Sequence, residues 1–385
     1  MKDYCQGLRV ALVHDYLIRS GGAERVLFEL HKLFPQAPIY TLLHNEEKMS
    51  GMFDGAEIKT SFLQKLPKFL KKRHKYLLPL LPLAAENFDL RDYDLVLSSS
   101  SAFAKAVITR PDTLHICYCH APSRFLWDWS HEYLKEQDAG LIRKIFAIFL
   151  VHYLRVWDRS SAKRVDYFIA NSKATQRKIN KYYRTNAFVI YPCVDYPSLE
   201  EFKKIEDGNY FLIVSQLTPY KRVDVAVEAF NKLKLPLVVI GDGPEKEYLK
   251  NIAGSNVKII GWVDEEEKKQ YLKNCAAFIF AGEDDFGIAP VEAMGWGKPV
   301  LALRIGGALE TVLEGVTGEF FDASVPEVLA DGVRRLRANL AKYSPLVIRK
   351  WAEKFSVDTF RREIMDFLNK KRYNKEDKTK SKSLI

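Results

Sequence analysis

The chain has 385 residues, 47% of them apolar and 28% charged, and a formal net charge of +10. That length suits two domains better than one core, and the apolar content excludes a chain too polar to bury one. No apolar run approaches the ~20 residues that span a bilayer, the first residues lack the apolar stretch of a signal peptide, and five unevenly spaced cysteines form no disulfide framework; the expectation is a cytoplasmic protein.

Short apolar runs alternate with helical patterns along the first half. Leu8–Val13 reads as a buried strand, and Gly21-Gly22 precedes a helix with Val26, Leu27, Leu30, Leu33 and Phe34 on one face. Further strands are predicted at Ile39–Leu43, Leu95–Ser98, Ala106–Thr109, Leu114–Cys119, Tyr167–Ala170 and Phe188–Tyr191. Between them, Ile58–Ala85 holds Lys59, Lys65, Lys68, Lys71, Lys72, Arg73 and Lys75, and no acid. Part of it can form an amphipathic helix with a basic face, either an interfacial membrane segment or an ordinary surface helix. Leu141–Leu150 adds a second apolar and basic stretch. Cys117 and Cys119, two apart in a strand with His120 beside them, read as buried small side chains rather than as metal ligands.

Two prolines at Tyr191–Pro197 break the pattern, and the alternation then restarts. Strands are predicted at Tyr210–Val214, Leu237–Ile240, Val257–Ile260, Ala277–Phe280 and Val300–Leu303, with helices at Val223–Leu233, Glu245–Ile252, Glu265–Lys273, Ala289–Trp296 and Gly307–Leu313. The fold class is therefore α/β, two doubly wound parallel sheets in tandem. The expected boundaries are 1–195 and 196–355, then a helix over 356–372 packing back on the first domain, and a disordered basic tail over 373–385. Ligands of such sheets bind at the C-terminal strand ends, and with two domains the default place is the cleft between them.

Four segments carry chemistry. At His14–Arg25, Gly21-Gly22 opens a helix; it is either an anion site or a tight turn. At Ser215–Asp224, Lys221 and Arg222 stand at a helix start, where the helix dipole disfavours cations unless an anion joins them. At Asp284–Glu292, carboxylates flank Phe286-Gly287, and carboxylates suit neighbouring sugar hydroxyls; helix capping by Asp284 and Asp285 explains less, because it leaves Glu292 without a role. Arg304–Thr311 is another strand–Gly-Gly–helix turn offering N–H groups to an anion.

Together Lys221, Asp284 with Phe286-Gly287 and Glu292, and Gly306-Gly307 resemble the retaining GT-B glycosyltransferases of family 4, over roughly residues 8–365. Within that family Gly21–Val26, Cys119–Asp128 and Ala170–Ser172 look most like mannosyltransferases of bacterial surface-polysaccharide (O-antigen or capsule) assembly. The resemblance implies two facing Rossmann-like domains and a nucleotide-sugar donor, with GDP-mannose preferred. It implies a saccharide acceptor, here expected to be lipid-linked, and transfer with retention. It assigns Glu292 to the ribose, Asp284 and the backbone N–H groups of Phe286, Gly287 and Ile288 to the sugar, and Lys221 to the diphosphate. His120 falls by the transferred carbon, and Gly21 and Gly22 by the phosphates and acceptor.

The sequence departs from the pattern twice. Asp284 stands for a glutamate, and Gln216 for an arginine on the diphosphate; Arg222 is the candidate to supply the missing charge. No acidic metal motif stands in a convincing loop, so no metal and no resident cofactor are expected, the nucleotide sugar being a co-substrate. The cations point to an anionic membrane surface through residues 58–85 and a peripheral place on the inner membrane face; no motif points to nucleic acid. The rival readings are a same-fold enzyme using UDP- or ADP-sugars, an epimerase, and a non-catalytic homologue.

Overall fold

Most strands of this chain are unbroken apolar runs, the pattern of parallel sheets covered on both faces. The computed structural model describes residues 7–49, 51–67, 69, 74–131, 141–204 and 208–382. The chain divides into two units, Met1–Tyr191 with Phe360–Ile385, and Pro192–Thr359.

The first unit holds seven parallel strands: β1 (Val10–Leu17), β2 (Ile39–His44), β3 (Ile58–Thr60), β4 (Leu95–Ser100), β5 (Leu114–Cys119), β6 (Tyr167–Ala170) and β7 (Ala187–Val189). They lie in the order β3-β2-β1-β4-β5-β6-β7, so the winding reverses between β1 and β4, whose C-terminal ends are the expected ligand position. The strand predicted at Ala106–Thr109 is instead a 3-10 turn, Ala104–Ala106, followed by loop. The N–H groups of Ser101, Ala102, Phe103 and Ala104 all donate to the Asp15 carboxylate, which winds this segment around β1 rather than beside a neighbour.

The basic centre of the stretch 58–85, in part of which an amphipathic helix is expected, is Lys68, Lys71, Lys72 and Arg73, which lie outside the described residues. The stretch becomes β3, a 3-10 turn at Phe62–Lys65, a second at His74–Leu80 and a helix at Leu81–Glu86, with residues 68 and 70–73 outside the described part. Pro67 and Pro79 interrupt α-helix formation, Pro82 fits the first turn of the helix Leu81–Glu86, and Leu63, Leu81, Ala84 and Ala85 turn inward to one core cluster. β3 escaped the sequence reading because its Ile-Lys-Thr is half-buried and polar in the middle.

The second unit holds β8 (Phe211–Val214), β9 (Leu237–Ile240), β10 (Val257–Gly261), β11 (Ala277–Phe280), β12 (Val300–Leu303) and β13 (Gly318–Phe321), all parallel, in the order β10-β9-β8-β11-β12-β13. Here the winding reverses between β8 and β11. β13 is short and starts Gly-Glu, too weak a pattern to read; its Gly318 is needed because a Cβ there would meet the Val300 carbonyl at 1.9 Å.

The last helix spans Val357–Lys382, past residue 373 where the sequence suggests a disordered tail. In the first unit Arg361 donates to Glu29 at 2.7 Å, Phe360 meets Tyr118 edge-on at 5.8 Å, and Phe367 packs on Phe188 at 5.1 Å.

Candidate functional site

The C-terminal ends of β8 and β11 meet at the switch point of the second unit. The loop after β8 turns through Pro219–Lys221 into the helix Val223–Leu233. It lies so close to the end of β11 that a Cβ on Gly282 would come within 2.6 Å of the Lys221 backbone. Val214, Ser215, Lys221, Phe280, Ala281 and Gly282 line a small cleft there. Lys221 Nζ bonds the Asp284 carboxylate, so the structure joins two residues assigned from the sequence to diphosphate and sugar. Arg222 sits in the left-handed region at φ 50°. Its guanidinium donates to Asp224, 3.3 and 3.4 Å away, and that first-turn carboxylate offsets the cation at the positive end of the helix. Gln216 is exposed, and the Arg222 guanidinium is turned to Asp224.

The loop 281–287 carries the chain from β11 into the helix Ile288–Gly295. Gly287 makes the entry at φ 87°, with a Cβ position 3.1 Å from the Phe280 ring and 3.2 Å from Pro290. Phe286 is buried edge-on against Phe355, centroids 5.3 Å apart, and Ile288 is half-buried. The first-turn N–H groups of such a helix lack intrahelical acceptors and favour an anion or a hydroxyl oxygen. Glu292, one turn in, is 7% exposed. Lys268 Nζ donates to it at 3.1 Å and to Glu265 at 2.9 Å. Lys268 was not legible as a site residue: in sequence it belongs to an ordinary run of alternating charge, and nothing there says it reaches the next helix.

Packing requires glycine at both 306 and 307. A Cβ on Gly306 would meet the Asp284 carbonyl at 2.4 Å, and one on Gly307 the Phe286 carbonyl at 2.3 Å. The Gly307 N–H itself donates to Asp284 O at 2.9 Å. The two glycines therefore hold the 284–286 loop in place.

Gly21, Gly22 and His120 belong to the first unit. Gly21 is extended at φ −164° and caps the helix Gly22–Leu33; what favours glycine is Glu24, whose Oε2 would lie 2.9 Å from a Cβ. Next to it runs a chain of polar contacts across β1, β4 and β5. Glu24 Oε1 lies 3.6 Å from His14 Nε2, His14 Nδ1 lies 3.0 Å from the Ser99 carbonyl and 3.2 Å from its Oγ, and Ser99 Oγ lies 2.8 Å from His120 Nε2. A carbonyl only accepts, so His14 Nδ1 is the donor to Ser99 O. His14 and Ser99 went unnoticed in the sequence because a strand residue is not marked by what the neighbouring strand places beside it. Cys117 is buried, which pushes its thiol up to about 12 and keeps it protonated. No cluster of three metal-ligating side chains occurs among the described residues.

The Cys119–Asp128 segment is largely structural. Trp127 Nε1 donates to Asp158 at 2.8 Å, Lys105 Nζ reaches the same buried carboxylate at 2.5 Å, and Asp128 pairs with Lys178 at 2.5 Å. Ser172 caps its helix by accepting from Thr175 N at 3.0 Å.

Two parallel-sheet Rossmann-like units, each with polar groups gathered at its switch point, define the architecture of GT-B glycosyltransferases. Residues 20–196 match the family Glycosyltransferase Family 4 and residues 197–345 match Glycosyl transferases group 1; the chain is built of the two domains of these glycosyltransferases. Among curated relatives, the alpha-1,3/1,6-mannosyltransferase of Debaryomyces hansenii is 24% identical over 379 residues, covering 79% of this chain and 76% of that one. That of Saccharomyces cerevisiae is 27% identical, covering 52% and 48%. An uncharacterised glycosyltransferase of Methanocaldococcus jannaschii is 27% identical, covering 45% and 50%. The matched part thus spans about half the length of the last two relatives. Among solved structures, Anabaena HepE in complex with UDP and glucose superposes with a TM-score of 0.67 at 19% identity, covering 94% of this chain and 99% of that one. Sucrose-phosphate synthase from Thermosynechococcus elongatus gives 0.68 at 15%, covering 95% and 99%; these likenesses concern the fold.

Proposed function

We propose that the chain transfers a hexose from a nucleotide sugar to a saccharide acceptor. The observation that carries this reading is the convergence of Lys221, Asp284 and the Ile288–Gly295 helix start at the β8/β11 switch point, with Glu292 one turn further on. In this reading Glu292 accepts from the ribose hydroxyls, Asp284 and the N–H groups of Phe286, Gly287 and Ile288 hold the sugar, and Lys221 carries the charge that develops on the departing diphosphate. An ammonium has three donors, so Lys221 keeps Asp284 while meeting a phosphate oxygen. The family resemblance adds His120 by the sugar and Gly21 and Gly22 by the phosphates and acceptor.

The finer reading is mannose from GDP-mannose, transferred with retention to a lipid-linked acceptor of surface-polysaccharide assembly, with no metal and no resident cofactor. The mannosyltransferase relatives support the sugar. A thermal-shift screen of GDP-, UDP- and ADP-sugars tests the donor: GDP-mannose should give the largest shift, and a larger one from another donor overturns that choice. Transfer with Glu292→Ala tests the site, since unchanged turnover would refute it, and product analysis without acceptor separates transfer from epimerisation. A non-catalytic homologue would give the shift and no product.

A further inference from the structure

The helix Leu141–Ser161 is apolar on both its faces. Its inner face is accounted for: Val151 and Leu154 are buried in one cluster with Leu81, Ala84 and Ala85, Trp157 Nε1 donates to Glu86 at 2.9 Å, and Asp158 holds the buried Lys105. The outer face carries Ile145, Phe146, Ile148, Phe149, Tyr153 and Val156, each between 46% and 70% exposed. With about 100° between successive residues, Ile145, Phe149 and Val156 form the middle of this face, with Phe146 and Tyr153 on one side and Ile148 on the other. A water-facing arc is normally polar, and this many large apolar groups on one arc mark an interaction surface. On the helix Leu81–Glu86, which shares the core cluster, Leu83 is exposed as well.

The charges that the helix itself carries from Leu141 to Trp157 are of one sign. No acid occurs from Leu141 to Trp157, while Arg143, Lys144 and Arg155 lie within it and Arg159 follows. Lys144 and Arg159 are exposed, and Arg155 is fixed by donating to the Leu126 carbonyl at 2.6 Å. No helix among the described residues is long and apolar enough to cross a membrane.

We propose that Leu141–Ser161 is a membrane-docking helix, lying flat in the headgroup layer of an anionic bilayer with its outer apolar side chains inserted and its cations on the lipid phosphates. Charge selects this occupant. A second copy docking through the same face would be isologous and would set cations against cations, whereas an anionic lipid surface complements both the apolar centre and its basic surroundings. The helix adds to 58–85 as a docking element: of that stretch Leu63 and Leu81 face inward, while Phe69 and Leu83 are exposed. The docking goes beyond the transfer reading and does not depend on it: a chain without transferase activity would dock alike.

The test is co-sedimentation of the full chain with vesicles of phosphatidylcholine alone or with roughly 30% phosphatidylglycerol. The chain should bind the anionic vesicles preferentially. Phe146→Glu with Phe149→Glu should weaken that binding at least about tenfold and leave the thermal midpoint unchanged, since both side chains are exposed. Phe149→Trp should show blue-shifted emission on the vesicles, quenched by brominated lipid. Three results would each overturn the proposal: no binding to anionic vesicles, equal binding by the double variant, or unquenched emission from the Phe149→Trp variant in a chain that self-associates through this face.

Discussion

Ser99 Oγ lies 2.8 Å from His120 Nε2, while His14 Nδ1 lies 3.2 Å from the same oxygen. One hydroxyl between two imidazoles fixes the His120 ring through side chains on β1 and β4 that were not part of the sequence pattern. If His120 stands by the transferred sugar, Ser99 and His14 act by positioning it. Ser99→Ala should lower kcat about tenfold, the cost of one net hydrogen bond, with KM for the donor little changed. Adding His14→Gln should cost less than the sum of the two, because both act through one ring. Additive losses, or full activity in Ser99→Ala, would show that the chain of contacts only supports the fold.

The Lys221–Asp284 pair makes a second coupling. Lys221→Ala should lower kcat/KM for the nucleotide sugar by about 10²–10³-fold, the usual loss when a charge-stabilising donor is removed. In the Asp284→Asn background the same change should cost less, since Lys221 has already lost the carboxylate that orients it. The full cycle of four proteins measured with one donor gives the coupling; a zero value sinks the paired role. Arg222→Ala serves as the comparison: with its guanidinium on Asp224, it should affect turnover far less than Lys221→Ala.

Burial holds the His115 imidazole at about 4, below its usual 6.5. The folded chain therefore binds fewer protons there than the unfolded chain between those values, so this contribution is complete above pH 6.5 and lost as pH falls toward 4. The slope reaches about 1.4 kcal/mol per pH unit. Urea midpoints measured from pH 7.5 to 4.5 should fall with acidification, and the fall should be shallower in His115→Gln, which cannot be protonated. His31 and His44, lowered in the same direction by burial, keep a residual slope in that variant. An unaltered pH profile in His115→Gln would contradict the assignment.

What the sequence made legible follows from the range of the interactions. The strands β5, β6, β9, β11 and β12 match their apolar runs to the residue, because a strand covered on both faces needs only local composition to mark it. The edge strands β3 and β13 are short and polar and leave no such mark. Lys221 stood out as a cation at a helix start, and Asp284 and Glu292 as carboxylates flanking Phe286-Gly287, all three within the family resemblance. Their partners did not: Lys268 reaches Glu292 across helices and Ser99 reaches His120 across strands, and such contacts exist only once the chain has folded. The Gly306-Gly307 turn shows the opposite limit, since glycines that admit a ligand and glycines that admit another loop look the same in sequence.

Asp15 makes the strongest claim about stability. Its carboxylate accepts from the backbone N–H groups of Ser101, Ala102, Phe103 and Ala104 at 2.5, 2.9, 2.7 and 2.6 Å, and it is 5% exposed. Four donors converging on one buried anion satisfy the turn after β4 and tie it to β1. Asp15→Ala leaves those donors without the carboxylate and should destabilise the first unit by about 3–5 kcal/mol. Asp15→Asn keeps one acceptor oxygen but brings an NH₂ group against N–H donors, so it should recover little of the loss. The same turn carries Lys105, which donates to the Ala102 carbonyl at 2.6 Å and pairs with Asp158. Asp158→Ala should therefore combine non-additively with Asp15→Ala, as expected of sites sharing one backbone segment. Urea unfolding of the three variants checks both points, and a loss below about 1 kcal/mol in Asp15→Ala would mean that the turn finds other acceptors.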